Sequence, residues 1–261
     1  MINKISNIII YSTAIILLTI LLFLVINNIN SVKIDTDYVL NSYKFLVNDN
    51  LDSCNGLNMY GENRVEYADL SDADKLCLAY RNIKQHSYDK LNKSNNENYC
   101  YISKNDNKGF TLNEDNICDI EIISKEKIDQ IYYELFNKQI GDYSDFKIND
   151  SRACYYQDDK YLCGDSILQN ITYGWNPTYY TIITKAKEKG SYLYIYDYFL
   201  IINNNECYLS NNGSIKNDKC SLKLTNANID NRFLTKFGQK YKHTFKKNNN
   251  GTYYWISSEP I

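Results

Sequence analysis

The hydrophobic pattern of the chain opens with an apolar run that carries no charge, from Ile8 to Ile26. At about 1.5 Å of helical rise per residue the run spans roughly 28 Å, which matches the ~30 Å hydrocarbon core of a bilayer. It therefore predicts a transmembrane helix over residues 8–26. No small-x-small cleavage motif follows the run, which favours an uncleaved signal anchor over a cleaved signal peptide, the main alternative.

The charges that flank this run give a predicted orientation. Lys4 precedes it, whereas Lys33 after it is followed by Asp35 and Asp37. Counting positive charges places the N-terminus in the cytoplasm. We therefore predict a single-pass protein of the cell membrane. The lipid bilayer would be the partner of residues 8–26, and the C-terminal domain would be extracytoplasmic.

After the apolar run, the first half of the chain shows helical periodicity. Apolar positions in residues 39–47 form one stripe, and Ser71 and Asp74 make a capping box ahead of a second amphipathic stretch. A third helix begins near Ser124 and carries its apolar residues on one face. The polar segment 92–116 between these helices is predicted to be a long loop.

The second half changes to the two-residue period of strands. Residues 180–184 and 192–199 read as two strands joined by a turn, which indicates a hairpin. A short helix is predicted to end at Gly238. Residues 241–245 and 252–257 then form a second predicted hairpin around an Asn-Asn-Gly turn.

These elements predict an α+β fold with an N-terminal transmembrane helix, a mainly helical first half and an antiparallel sheet in the second half, of the cystatin-like or NTF2-like kind. The predicted parts are a cytoplasmic tail at 1–7, the transmembrane anchor at 8–26 and a linker at 27–34. An acidic, mainly helical part covers 35–148, and a tyrosine-rich antiparallel β part covers 149–261. The last two parts could form one domain or two.

Eight cysteines, an even number, all follow the apolar run. Such a set is typical of disulfides formed in an oxidising compartment, and the alternative is eight reduced thiols buried as small hydrophobes. No Cys-x-x-Cys occurs, so no zinc site is predicted. An Asp158–Asp159 turn between two aromatic strands would place Cys154 opposite Cys163. The expected pairs are Cys154 with Cys163, Cys207 with Cys220 across a loop rich in Asn, Gly and Ser, and, by elimination only, Cys54 with Cys77 and Cys100 with Cys118.

The second half also contains the candidate binding surface. In a strand at 192–199, four tyrosines share one face, where they could bind sugar rings or a peptide strand unless a helix covers them. Residues 232–247 contain six lysines and arginines and no acid. The basic segment could bind anionic lipid headgroups or anionic wall polymers. Its alternation of lysines with other residues also fits an ordinary half-exposed strand. The predicted surface consists of Tyr192, Tyr194, Tyr196, Tyr198, Lys240, Lys242 and Trp255.

Charge is divided unevenly along the chain. Residues 35–165 hold 25 acidic and 15 basic residues, whereas residues 166–261 hold 6 acidic and 12 basic ones. The two parts of one fold could complement each other, or an acidic half near the membrane could carry a basic half that faces a partner. The overall net charge of −2 and the predicted location make nucleic acid an unsuitable partner.

No catalytic, cofactor or metal motif is recognisable in the sequence. His86 and His243 do not lie in a Ser/His/Asp, Cys/His or metal-binding pattern, and neither a Walker A motif nor GxGxxG occurs. We therefore predict no cofactor and a binding or assembly role at the cell envelope, with an anionic envelope polymer or a protein as partner. A cell-envelope hydrolase that uses paired carboxylates and a structural subunit of a membrane complex are the alternatives.

Three segments in the last third of the chain carry a resemblance. These are Tyr196-Asp-Tyr-Phe-Leu-Ile-Ile, the segment that begins Phe237-Gly-Gln-Lys-Tyr, and Tyr254-Trp-Ile-Ser-Ser-Glu-Pro. Here the chain resembles the N-terminally anchored, exported single-pass proteins of AT-rich Gram-positive bacteria, for which no activity is known. The resemblance implies the same layout, an anchor followed by a tyrosine-rich exported domain, and it implies no site residues.

Overall fold

A computed structural model describes residues 15–19, 54, 59–91, 98–167, 178–203, 206–211, 214–217 and 229–261. Of the predicted transmembrane run, only residues 15–19 are described, and they are helical. Within these ranges no helix combines the length and apolar character needed to cross a bilayer. The apolar stripe predicted at 39–47 lies outside the described residues.

Beyond the helical residues 15–19, the named elements of the described residues run from Val65 to Pro260. The helices are α1 (Asp72–Arg81), α2 (Lys125–Phe136) and α3 (Asn231–Phe237), with a 3₁₀ helix at Tyr67–Asp69. The strands are β1 (Val65–Glu66), β2 (Ser87–Leu91), β3 (Tyr99–Ser103), β4 (Lys108–Thr111), β5 (Cys118–Ser124), β6 (Phe146–Lys147), β7 (Arg152–Gln157), β8 (Lys160–Asp165), β9 (Thr178–Lys189), β10 (Tyr192–Asn203), β11 (Glu206–Asn211), β12 (Ser214–Asn217), β13 (Gln239–Lys247) and β14 (Tyr253–Pro260).

A seven-stranded antiparallel sheet holds most of the second half. Its order is β1-β14-β13-β10-β11-β12, and β9 pairs with the other side of β10. Both predicted hairpins of the second half are confirmed, as β9–β10 and β13–β14. The β9–β10 turn contains Gly190 at φ 61°, a left-handed conformation that glycine adopts without steric cost.

The predicted fold class is wrong for the first half of the chain. Among the described residues, antiparallel strands contain many more residues than helices do. Strands β2, β5 and β6 of a five-stranded sheet, whose order is β2-β5-β8-β7-β6, lie in what was predicted to be a mainly helical part. The predicted loop at 92–116 contains the β3–β4 hairpin. The α+β prediction with an N-terminal transmembrane helix is therefore replaced by an antiparallel fold with few helices.

Two helices predicted from their caps are confirmed. The Ser71 hydroxyl accepts from the Asp74 backbone N–H at the start of α1, and Ser124 caps α2 in the same way. The helices pack on each other, α1 contacts β6 of the smaller sheet, and α2 contacts β14 of the larger one. A single apolar core therefore joins both sheets through the two helices, and it includes Trp255 and Tyr161.

Three disulfides staple the described residues, as expected for a disulfide-bonded protein. They join Cys54 to Cys77, Cys100 to Cys118 and Cys154 to Cys163. The last pair lies directly opposite in the β7–β8 hairpin, whose turn residues Asp158 and Asp159 both have positive φ. Cys207 is also disulfide-bonded, and its predicted partner Cys220 lies outside the described residues.

Candidate functional site

Strand β10 separates a buried face from an open one by strict alternation. Leu193, Ile195, Asp197 and Phe199 are buried towards the core, whereas the four tyrosines between them are half-buried or exposed. Tyr192 is the most open, with 37% of its surface accessible. Tyr192 and Tyr194 stack with ring centroids 6.2 Å apart. The alternation thus places a row of aromatic rings on the outside of the large sheet.

Strand register surrounds this row with lysines. On one side, Lys189 of β9 lies opposite Tyr192, Lys187 opposite Tyr194, and Lys185 opposite Tyr196. On the other side, β13 places Lys246, Thr244, Lys242 and Lys240 opposite the same four tyrosines in turn. Directly opposite residues in a sheet project to the same side. We call this surface the tyrosine face: Tyr192, Tyr194, Tyr196, Tyr198, Lys185, Lys187, Lys189, Lys240, Lys242 and Lys246.

Few acidic side chains among the described residues compensate the positive charge of the tyrosine face. Lys242 forms an ion pair with Glu259 of β14, and Arg64 lies 3.8 Å from the same carboxylate. The other five lysines of the face form no ion pair with any residue that the structure describes. Lys240 lies over the Tyr196 ring at 6.0 Å. The tyrosine rings of β10 therefore lie between two lines of lysines, one on β9 and one on β13.

Helix α3 covers the continuation of this face but stops short of the tyrosines. Leu200 and Ile202 of β10 are buried against Leu234 and the partly buried rings of Phe233 and Phe237. Gly238, where the helix ends, approaches Tyr198, and a Cβ added there would meet the Leu234 carbonyl oxygen at 2.7 Å. A covering helix was the alternative to an exposed tyrosine row. Helix α3 covers Leu200 and Ile202, the next two outward positions of β10, but it does not cover the four tyrosines.

A cavity of about 370 Å³ lies where the β13–β14 hairpin approaches the end of α2. Its lining combines tyrosines, asparagines and lysines and contains no carboxylate. Lys246 belongs both to this lining and to the tyrosine face, and it lies opposite Tyr254, which also lines the cavity. The cavity and the tyrosine face therefore share Lys246.

A buried polar network lies directly behind the tyrosine face, in the core side of the same strands. Asp197 accepts from the Tyr60 hydroxyl at 2.8 Å and lies 3.1 Å from Nε2 of His243. Nδ1 of His243 lies 2.7 Å from Oγ of Ser258, which accepts from Nε1 of Trp255 at 3.0 Å. With the imidazole neutral and its proton on Nε2, Ser258 donates to Nδ1.

These are the residue types of a Ser/His/Asp triad, but Ser258 contacts Nδ1 and Asp197 contacts Nε2, the reverse of the catalytic arrangement, and all three are fully buried. The network links β10, β13 and β14 inside the core. Burial also raises the pKa of the neighbouring Tyr241 hydroxyl well above its usual value, with the Asp197 charge adding to the effect. The polar groups on the interior side of the sheet are thus part of the core.

The predicted surface residues fall into two groups. Six of the seven lie on the tyrosine face, whereas Trp255 is 1% exposed and packs near Phe136, so its predicted place on a binding surface is wrong. The lysines of β9 were missed. Their signal was the register of the predicted hairpin, since a tight turn after Lys189 places every second residue of β9 opposite a tyrosine.

The resemblance to exported single-pass proteins stays a prediction, because nothing in the fold bears on it. No family model, no curated protein and no solved structure matches the chain, so its function rests on the geometry of its own residues.

Proposed function

We propose that the protein binds an anionic polymer of the cell envelope through the tyrosine face. The observation that carries the proposal is the row of tyrosines flanked on both sides by lysines, five of which have no ion-pair partner among the described residues. Residues two apart on a strand are roughly 7 Å apart along it, so the rings and charges form parallel lines about 20 Å long. An extended polyanion complements such lines along its whole length.

The disulfides support a location outside the cytoplasm. Three described disulfides, together with a disulfide-bonded Cys207, leave no free cysteine among the described residues. Structural disulfides persist in oxidising compartments and are rare where thiol reductants are abundant. Thiol labelling of intact cells tests this directly. Labelling that requires a reductant supports the location, and ready labelling only after lysis without a reductant contradicts it.

The lysines of β9 have a second explanation that the experiment must separate. Strand β9 lies at the edge of the large sheet, and lysines on an edge strand discourage pairing with another chain. That role requires lysines on the edge only. It does not account for the second line of lysines on β13, which is an interior strand with neighbours on both sides.

The test compares two triple variants that remove the same charge. The face variant is K185Q/K187Q/K189Q, and the control is K84Q/K90Q/K160Q, whose lysines form no ion pair in the part of the chain that the structure describes. The full chain, oxidised and in non-ionic detergent, is titrated with polygalacturonate, with neutral dextran and with anionic phospholipid vesicles. If each lysine contributes up to about 1 kcal/mol, the face variant loses about tenfold to hundredfold in polygalacturonate affinity.

Salt gives an independent readout of the same interaction. Raising the ionic strength from about 0.1 M to about 1 M shortens the Debye length from about 10 Å to about 3 Å, so the affinity should fall steeply. Equal affinities of the two triple variants would contradict the proposal, and self-association of the face variant would then identify the lysines as edge protection. Binding to anionic vesicles without binding to polygalacturonate would assign the face to a lipid surface instead.

A further inference from the structure

The cavity at the β13–β14 hairpin lies at one end of the tyrosine face. Its floor and walls come from the last turn of α2 and its C-cap, from the ends of β13 and β14, and from the turn between them. Tyr192, Lys246 and Tyr254 lie side by side on three adjacent strands, so a polymer that follows the tyrosine row arrives at the cavity. Its volume of about 370 Å³ falls in the range of about 300–1,000 Å³ that small-molecule sites occupy.

The hairpin turn that forms one wall is held by its own hydrogen bonds. Oδ1 of Asn248 accepts from the backbone N–H groups of Asn250 and Thr252, at 3.2 and 3.1 Å. Nδ2 of Asn248 donates to the Thr252 hydroxyl at 2.8 Å. A wall that is already ordered lowers the entropy that a ligand loses on binding.

Other polar groups of the lining have no such partner. The side chains of Tyr133, Asn137, Asn249, Lys246 and Tyr254 all line the cavity, and none of them makes a hydrogen bond or an ion pair within the described ranges. Tyr133 is 49% exposed. Asn137 is the C-cap of α2, with φ 50°, and its backbone N–H donates to the Tyr133 carbonyl. Its side-chain amide is therefore not used in the cap. The cavity therefore offers aromatic rings, two amides and an ammonium group to an occupant.

We infer that this cavity binds one sugar ring that carries a negative charge, a unit of the polymer that the tyrosine face holds. Tyrosine rings offer rigid apolar area to the C–H face of a sugar, with a hydroxyl at the tip. Asparagine amides both donate and accept, which matches vicinal hydroxyl groups. Lys246 supplies the counter-charge for a carboxylate or a phosphate on the ring.

The inference rests on the proposed function and narrows it, because it makes the ligand an acidic polysaccharide. A polyanion without sugars, such as polyphosphate, would meet the lysines of the tyrosine face equally well, but it would leave the amides and rings of the cavity without partners. The lysines should therefore contribute equally to the affinity for both kinds of ligand. The cavity residues should contribute only to the affinity for the acidic polysaccharide.

The experiment uses two probes and two positions of the cavity. N137G/Y254V removes one amide and one ring; glycine is the residue best suited to the left-handed conformation at 137, and valine suits a strand at 254. Y88V is the matched control, because Tyr88 is 70% exposed on β2 of the other sheet. The full, oxidised chain is titrated with a labelled oligogalacturonate and with inorganic polyphosphate.

We expect N137G/Y254V to weaken oligogalacturonate binding about tenfold while Y88V leaves it unchanged. Polyphosphate binding should stay within about twofold for both variants. Should N137G/Y254V unfold at a lower temperature, N249A gives the same test from an exposed position of the turn. Either folded variant must lose affinity for oligogalacturonate while it keeps its affinity for polyphosphate.

Two results would overturn the inference and leave the proposed function intact. One is equal weakening of both probes in the cavity variants, and the other is no weakening of either while K185Q/K187Q/K189Q weakens both. Failure of both probes to bind the unmodified chain is a different outcome, since it removes the proposed function itself and the inference with it.

Discussion

Two neighbouring serines in β14 should respond in opposite ways to the same substitution. Ser257 and Ser258 are both fully buried. The Ser258 hydroxyl lies 2.7 Å from Nδ1 of His243 and accepts from the Trp255 indole at 3.0 Å. Oγ of Ser257 has no hydrogen-bond partner, and it is one of the few such buried atoms in the described ranges. Comparing the two serines therefore distinguishes the effect of hydrogen bonds on stability from the effect of burying a hydroxyl that makes none.

The magnitudes follow from what each substitution leaves behind. Ser258→Ala removes the contacts that the Ser258 hydroxyl makes with Nδ1 of His243 and Nε1 of Trp255, and losing the partner of a buried polar group costs about 1–3 kcal/mol. The free energy of unfolding should therefore fall by about 2–5 kcal/mol. Ser257→Ala removes a hydroxyl that was desolvated without compensation, so that variant should be as stable as the unmodified chain or about 1 kcal/mol more stable.

Urea unfolding of the oxidised chain, followed by circular dichroism, measures both changes. The slope of free energy against urea should stay constant, which shows that the surface exposed on unfolding is the same in each variant. Equal destabilisation by the two substitutions would refute the reasoning. So would a larger loss from Ser257→Ala, because the geometry of the network would then not be the source of the stability.

Two further predictions concern the disulfides and the buried phenols. Replacing Cys54 and Cys77 by serines should lower the free energy of unfolding by about 3.4 kcal/mol, and replacing Cys154 and Cys163 should lower it by about 2.6 kcal/mol. The difference arises because the first disulfide joins residues 23 apart in sequence and the second joins residues 9 apart. The reverse order in urea unfolding would contradict this. Because burial raises the pKa of Tyr241, the stability it contributes is complete below the unfolded value of 10.0 and is lost as the pH rises above it. Tyr241→Phe should lose less stability from pH 9 to 11, and an unchanged slope would refute the assignment.

The elements that the sequence predicted well are those specified by local chemistry. The Ser71 and Ser124 caps act within one turn of helix, and the alternation of β10 needs only its own residues. The turn at Asp158 likewise brings Cys154 opposite Cys163 without help from the rest of the chain. Each signal lies within about ten residues, which is the distance over which a pattern in one sequence can be interpreted.

The five-stranded sheet shows why the first half was misjudged. Strand β2 is exposed along nearly its whole length, so it has no apolar alternation to detect. It pairs with β5, and β5 pairs with β8 across the whole of α2. Such pairings depend on tertiary contacts, which override local preference.

The candidate site combines both situations. The tyrosine row was visible as a pattern, but the lysines of β9 become neighbours of the tyrosines only through hairpin register. The cavity needs still more, because Asn137 ends α2 and Asn249 lies in the β13–β14 turn. More than a hundred residues separate them in sequence, and only the packing of α2 on β14 brings them together.

The openness of the tyrosine face is itself encoded along β10. The outward positions change from Leu200 and Ile202, which α3 buries, to tyrosines with lysines opposite them. A second helix laid over the tyrosines would have to bury several ammonium groups, and each would need a counter-charge within the covering element. Helix α3 brings Arg232 and Lys236 and no acid, so it could not extend over this surface. A partner that covers the face must therefore bring its own negative charges, as the proposed polymer does.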